Sequence, residues 1–290
     1  MILSMIGFAI ADTLVKVMSA TVSTAQILFF LISGAFVAFS LIAVFQGESL
    51  WDRRAFAPVL LMRYAAEVIG MIGMVTALAL VPLSIVGAVT QATPILVAVG
   101  AVIFLNEKVS WRRWSAIAVG FVGVLLIVQP GASGFDVNVL WAVLAMVSLS
   151  VRDLSTRLVP DGMASSSLAT FTMIAALPFA ILWVMLEGEP LFPPDINWLL
   201  VGLMTSIGAL GYLFLIYSLR MAEVSIVMPF RYSRILILMA FGIVFFDERP
   251  NLQMLIGAAL IIASGIYMMW RERRANMDTA RLRSQDASHE

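Results

Sequence analysis

Cysteine is absent from this chain of 290 residues, and the only histidine is His289, one residue from the end. Those two absences exclude disulfides, a thiol nucleophile, thiolate metal sites and an intramembrane histidine relay. No HExxH pair exists, so zinc hydrolase chemistry is excluded as well. No cofactor is expected. Charge is also scarce: Asp, Glu, Lys and Arg make up 12% of the chain, where a soluble domain carries about 25%. Eighteen basic and eighteen acidic residues cancel, and the basic ones are scattered, so nucleic acid is not an expected partner. What fills the chain instead is apolar: 61% hydrophobic residues and a mean hydropathy of +0.99. No aqueous fold could bury that much apolar surface, which makes this an integral membrane protein with the lipid bilayer as its surroundings.

Runs of about 20 apolar residues, the length a helix needs to cross some 30 Å of hydrocarbon, fall at roughly 2–20, 25–46, 57–79, 82–104, 111–129, 139–157, 166–186, 197–218, 224–246 and 252–270. Open strands would leave backbone groups unpaired in lipid, so these ten spans are expected to be helices. Arg53-Arg54, Lys108 with Arg112-Arg113, Arg157 and Arg220 lie in or beside alternate connections, on the side of the tail Arg271-Glu272-Arg273-Arg274. Arg249 is the exception on the other side. Positive charge marks the cytoplasmic face, so both termini are expected there.

Shifted by 141 positions, the chain aligns with itself without a gap. Asp12 falls on Asp153, Lys16 on Arg157, Gly70 on Gly211, Ser84-Ile85-Val86 on Ser225-Ile226-Val227, and Glu107 on Glu248. Five helices per copy is an odd number, so the second copy is expected upside down relative to the first. The fold class is therefore an all-α membrane protein of ten transmembrane helices, arranged as two inverted five-helix repeats. The expected units are residues 1–129 and 142–270, a connecting loop at 130–141, and a disordered cytoplasmic tail at 271–290. Met1 aligns with Ala142, already inside the first helix of the second copy, so a natural start upstream is expected.

Two short connections carry a family resemblance: Phe104-Leu105-Asn106-Glu107 and Phe245-Phe246-Asp247-Glu248, each followed by an apolar helix with small residues such as Gly120, Gly123, Gly257 and Gly265. With Pro94 thirteen residues before Glu107, the chain resembles the EamA-type ten-helix branch of the drug/metabolite transporter superfamily. The second copy departs from the pattern, with Ile235 at the matching place and its proline earlier, at Pro229. The resemblance implies alternating-access transport of small metabolites, often outward, in a bacterial inner membrane. It also implies a cavity lined by helices 1, 3, 4, 6, 8 and 9. Within the branch the chain is similar to YddG-type exporters of amino acids.

The residues narrow the site independently. A charge at mid-bilayer costs about 2.5–3.5 kcal/mol, so intramembrane charges face the protein interior. Asp12/Lys16, Arg63/Glu67 and Asp153/Arg157 each sit four apart on one helical face and can neutralise themselves locally. Glu67 and Asp12 are candidates for meeting a solute or a proton, against the plainer reading of structural ion pairs. Arg231 and Arg234, beside Pro229 and Tyr232, are two cations that need carboxylates, carbonyls, water or a substrate anion. Gln91, at the position that corresponds to Tyr232, offers donors and acceptors to a zwitterion or glues helices together. Tyr64 and Tyr212 could form an aromatic wall, while Trp51, Trp111, Trp114, Trp198 and Trp270 fit an interface belt. Candidate substrate-binding residues are thus Asp12, Tyr64, Glu67, Gln91, Tyr212, Arg231, Tyr232 and Arg234; no catalytic or metal-ligating residue is expected.

Ala116/Gly120 and Ala259/Ala263 would bring the fifth and tenth helices close, within one chain rather than between two. A monomer is therefore expected over a homodimer. Glu107 and Glu248 are expected to accept bonds from the amides that open the helix following each. Together these readings make the chain a secondary transporter, in the export direction, of small-molecule substrates of the amino-acid type. The rivals are a carrier of anionic metabolites or sugar nucleotides and, in another class, an intramembrane enzyme built on a Ser–Lys or paired-Asp site.

Overall fold

The computed structural model describes residues 1–48, 53–105, 111–129, 136–156, 165–194, 196–221, 228–267 and 270. Among the described residues every regular element is helical. The first, α1, covers Ile2–Met18; α2 covers Thr24–Phe45 and α3 Pro58–Leu80, the last entered through a 3-10 turn at Arg53–Phe56. Next come α4 (Leu83–Thr90), α5 (Thr93–Leu105) and α6 (Trp111–Val128). The second half holds α7 (Val139–Thr156), α8 (Ser165–Leu186) and α9 (Trp198–Met221). A 3-10 turn at Met228–Tyr232 runs straight into α10 (Ser233–Phe246), and α11 covers Leu252–Tyr267. The 130–135 part of the connecting loop, the tail 271–290, Trp51, Glu107, Arg157 and Ser225 lie outside the described residues.

Five of these runs are long and apolar enough to cross a membrane: Thr24–Phe45, Pro58–Leu80, Leu83–Phe104, Val139–Thr156 and Ser166–Leu186. Trp114–Val128, Trp198–Phe214 and Leu252–Tyr267 are apolar but shorter. Their outer faces carry large apolar side chains, such as Leu41, Val44 and Phe45 on α2 and Phe179, Leu182 and Met185 on α8. Water would not tolerate contiguous surfaces of that kind; lipid does. Trp111, Trp114, Trp198 and Trp270 are exposed, as an interface belt requires.

The fourth run is broken at Gln91-Ala92, and the cause is local. Pro94 has no N–H to give to the Thr90 carbonyl. The Thr93 hydroxyl takes its place, donating to that carbonyl at 2.7 Å. The break leaves α4 a short rod that ends at Gln91, inside the bundle.

Packing pairs the halves. α1 lies along α9, α3 along α7, α2 along α8, and α4 against α10. Exchanging each helix for its repeat counterpart turns the α1–α9 contact into the α7–α3 contact. Individual residues follow the same exchange. A Cβ on Gly7 would stand 3.1 Å from the Gly211 Cα, and one on Gly70 would stand 3.4 Å from the Ser148 Cβ. Gly7 and Gly211 match Ser148 and Gly70 under the 141-residue shift.

The contact between α6 and α11 differs from the sequence expectation. Ala116 and Gly120 are buried, but Ala259 and Ala263 are exposed. The closest approach is instead Gly123 against Gly257, where a Cβ on either would meet the other's carbonyl oxygen at 2.7 or 2.6 Å. Only one face of α11 can meet α6, and that face runs through Gly257, Ala258, Ile261 and Ser264, all buried.

Candidate functional site

Charges placed on four helices and one 3-10 turn converge between the two halves. On α1, Asp12 is buried, and Arg234 from the first turn of α10 donates to its Oδ2 at 2.5 Å from Nη2 and 3.2 Å from Nε. The Arg234 guanidinium also lies over the Phe8 ring, 5.4 Å from its centroid. Asp12 is therefore neutralised by the opposite half and not by Lys16 one turn along. Lys16 reaches the end of α3, donating to the carbonyls of Val81 at 2.6 Å and Leu78 at 3.3 Å. A helix C-terminus presents unpaired carbonyls and a negative dipole end, which suits an ammonium.

Glu67 shows the same preference for the other half. Arg63, its neighbour one turn away, is 4.0 Å distant and spends its donors on Thr156 (2.9 Å) and Thr172 (2.6 Å). Glu67 instead accepts from Arg152 on α7 at 2.9 Å, and Arg152 holds Asp153 at 2.7 Å as well. One guanidinium thus serves two carboxylates, one from each half. Arg152 was missed in the sequence because its repeat counterpart is Ala11 and it has no acidic residue one turn away. Its adjacency to Asp153 was the available signal.

Arg231 lies within electrostatic range of Asp153, Arg152 and Arg234, so it joins the two ion-pair groups. Its carbonyl accepts from Gln91 Nε2 at 3.2 Å. This contact brings the break in the fourth run against the start of α10. Tyr212 stacks on Phe39, 4.8 Å between centroids, and lies within electrostatic range of Glu67, Arg63, Arg152 and Asp153. Asp12, Glu67, Gln91, Tyr212, Arg231 and Arg234 therefore share one polar centre.

The other two tyrosines are placed differently, although Tyr232 lies within electrostatic range of Arg231. Tyr64 packs in a small apolar cluster with Leu60, Leu168 and Phe171. Tyr232 is buried with its ring against Gly265 of α11, where a Cβ would collide with the ring and hydroxyl. An apolar groove of about 530 Å³, lined by Phe36, Leu177, Pro178 and Ile181 among others, opens on the lipid-facing surface between α2 and α8. It has none of the polar groups that fix a ligand's orientation.

A helical bundle with lipid-facing walls and opposite charges gathered between two halves defines a membrane carrier. The chain belongs to the EamA-like transporter family, which it matches over residues 1–129 and 137–270. It is 26% identical over 279 residues to the S-adenosylmethionine uptake transporter of Rickettsia conorii (strain ATCC VR-613 / Malish 7), spanning 94% of this chain and 92% of that one. It is 28% identical over 212 residues to the riboflavin transporter of Brucella anthropi, 72% and 75% of the two chains. With the pseudopaline exporter CntI of Pseudomonas aeruginosa it shares 26% identity over 277 residues, 92% and 93% of the two. A solved crystal structure superimposes with a TM-score of 0.59 at 17% identity, covering 92% of this chain and 96% of that one, and supports the fold. The protein is thus an integral inner-membrane transporter of small metabolites, and not an enzyme.

Proposed function

We infer that the solute carries both a carboxylate and a cationic group, as amino acids and amino-acid-bearing metabolites do, and that it crosses by alternating access. The observation behind this reading is the Asp12–Arg234 bridge, which joins the halves at 2.5 Å beside a second cross-half bridge, Arg152–Glu67, at 2.9 Å. A solute carboxylate can replace Asp12 on Arg234 or approach Arg231. A solute ammonium can take the Asp12 or Glu67 carboxylate so released. Each exchange trades one charge-assisted bond for another, so the halves can part without stranding a bare charge in lipid. Gln91 and Tyr212 supply neutral polar contacts.

S-adenosylmethionine, an amino-acid-bearing metabolite, is the first compound to test, because full-length relatives are named for it. Export is the direction we propose, as in the name of the pseudopaline relative, with both chain ends cytoplasmic. In proteoliposomes, labelled S-adenosylmethionine and amino acids should exchange across the membrane and compete with one another. The sign of flux under a one-sided load reports direction. Competition by phosphorylated compounds with none by amino acids or S-adenosylmethionine would overturn the reading in favour of an anion carrier.

A further inference from the structure

Glu248 lies outside the polar centre, and the structure gives it a partner that the sequence did not suggest. It was expected to cap the helix that follows it. Instead its carboxylate crosses to the first half and seats on the start of α4. Oε1 accepts from the Leu83 N–H at 2.5 Å, and Oε2 accepts from the Ser84 N–H at 3.0 Å and the Ser84 hydroxyl at 2.5 Å. The first amides of a helix have no partner within it, and the dipole favours an anion there.

The local fold aims the side chain. α10 ends at Asp247, whose φ of 52° is left-handed, and the Glu248 N–H turns back to the Gly242 carbonyl at 3.0 Å. It is a helix stop whose left-handed residue is usually glycine. The turn folds Glu248 over Gly242, where a Cβ would collide with the carboxylate. Gly242 is thus the seat of the carboxylate. At the same end of the bundle Lys16 of α1 holds the last carbonyls of α3 and lies over the Phe246 ring, 5.4 Å from its centroid. The ends of α1, α3 and α10 and the start of α4 are therefore drawn together.

We propose that Glu248 is a clasp between the halves. Its carboxylate pins α4 to α10 in the state seen here and lets go of α4 when the halves part at this end. α4 is only eight residues long, and its far end is tied to the second half by Gln91 on the Arg231 carbonyl. Releasing the Glu248 end frees the rod to tilt, and with it Thr90 and Gln91 move relative to Arg231 and Arg234. Glu248 is in this sense a positioning residue for the polar centre, independent of which solute binds there.

The chain has no cysteine, so a labelled pair can be introduced without removing anything. Ala20→Cys in the first half and Gln253→Cys in the second are exposed at this end. Nitroxide labels on the pair, in lipid nanodiscs without solute, report the separation of the halves by pulsed EPR. Glu248→Ala should raise the ratio of long to short distances by about tenfold, the shift expected from losing one hydrogen bond to a charged group. Gly242→Ala keeps the carboxylate but unseats it, and should move the ratio in the same direction. Ser84→Ala removes one contact of the clasp and carries the test if Glu248→Ala does not elute as folded protein. Unchanged distances in folded Gly242→Ala and Ser84→Ala proteins would overturn the proposal.

Discussion

Arg234 and Asp12 are 222 positions apart in the chain, yet two donors of the one guanidinium converge on a single oxygen of the other's carboxylate. The bridge crosses from α10 to α1, so it joins the two halves. It also draws the buried Asp12 away from Lys16, its neighbour on the same helix.

Breaking that bridge from one side strands a charge. Arg234→Gln leaves Asp12 buried without a cation, and the expected loss is about 3–5 kcal/mol. Asp12→Asn strands Arg234 in the same way. Because Asn and Gln can bond each other, the double variant should recover much of the loss. Thermal unfolding of the two singles and the double in detergent checks this; strictly additive losses would show that the two residues do not act as a pair.

Arg152 should be less replaceable than its partners. Arg152→Gln leaves Glu67 and Asp153 without their shared cation, and solute flux is expected to fall by tenfold or more, about 1.4 kcal/mol of lost stabilisation per decade. Arg152→Lys should recover only part of it, since a single ammonium lacks the planar fork that reaches two carboxylates. Equal flux for wild type and Arg152→Lys would count against the shared-cation geometry.

The α6–α11 contact predicts a contrast between neighbours. Gly257→Leu drives a side chain into the Gly123 carbonyl and should cost about 1–3 kcal/mol. Ala259→Leu, two residues on, adds a side chain to an exposed face and should be close to neutral. Thermal midpoints of the purified variants would show whether the buried stripe runs through Gly257 or through Ala259.

Thr93→Val is nearly isosteric but removes the hydroxyl that satisfies the Thr90 carbonyl at the break. Leaving that group unpaired should cost about 1–3 kcal/mol. A variant as stable as wild type would mean that the carbonyl has another partner.

Much of the architecture was legible before any coordinates. Apolar runs such as Thr24–Phe45 and Pro58–Leu80 declare themselves by length and hydropathy, because lipid punishes every exposed backbone group. The candidate site was legible in part. Asp12, Glu67, Gln91, Tyr212, Arg231 and Arg234 were picked out as polar groups in apolar helices, and the structure gathers them. Tyr64 and Tyr232 were chosen on the same ground, and their rings pack against Phe171 and Gly265, since an aromatic ring in a membrane helix is as well placed there as beside a charge. Local spacing misled at Asp12/Lys16, and at Arg63/Glu67 it gave the longer of two contacts, 4.0 Å against 2.9 Å from Arg152. Residues four apart can meet, but a guanidinium from a facing helix offers more than one donor to the same oxygen or to two acids.

Composition and the internal repeat by themselves determined a helical membrane carrier built from two related halves, because hydropathy and self-similarity are properties of the chain read in order. Only the tertiary structure decided which charges pair, that Arg152 is shared by two acids, and that Glu248 seats on α4 and not on the helix after it. Those choices depend on which faces of distant helices meet, and in an apolar medium a buried charge takes the partner with the best geometry wherever it lies in the sequence.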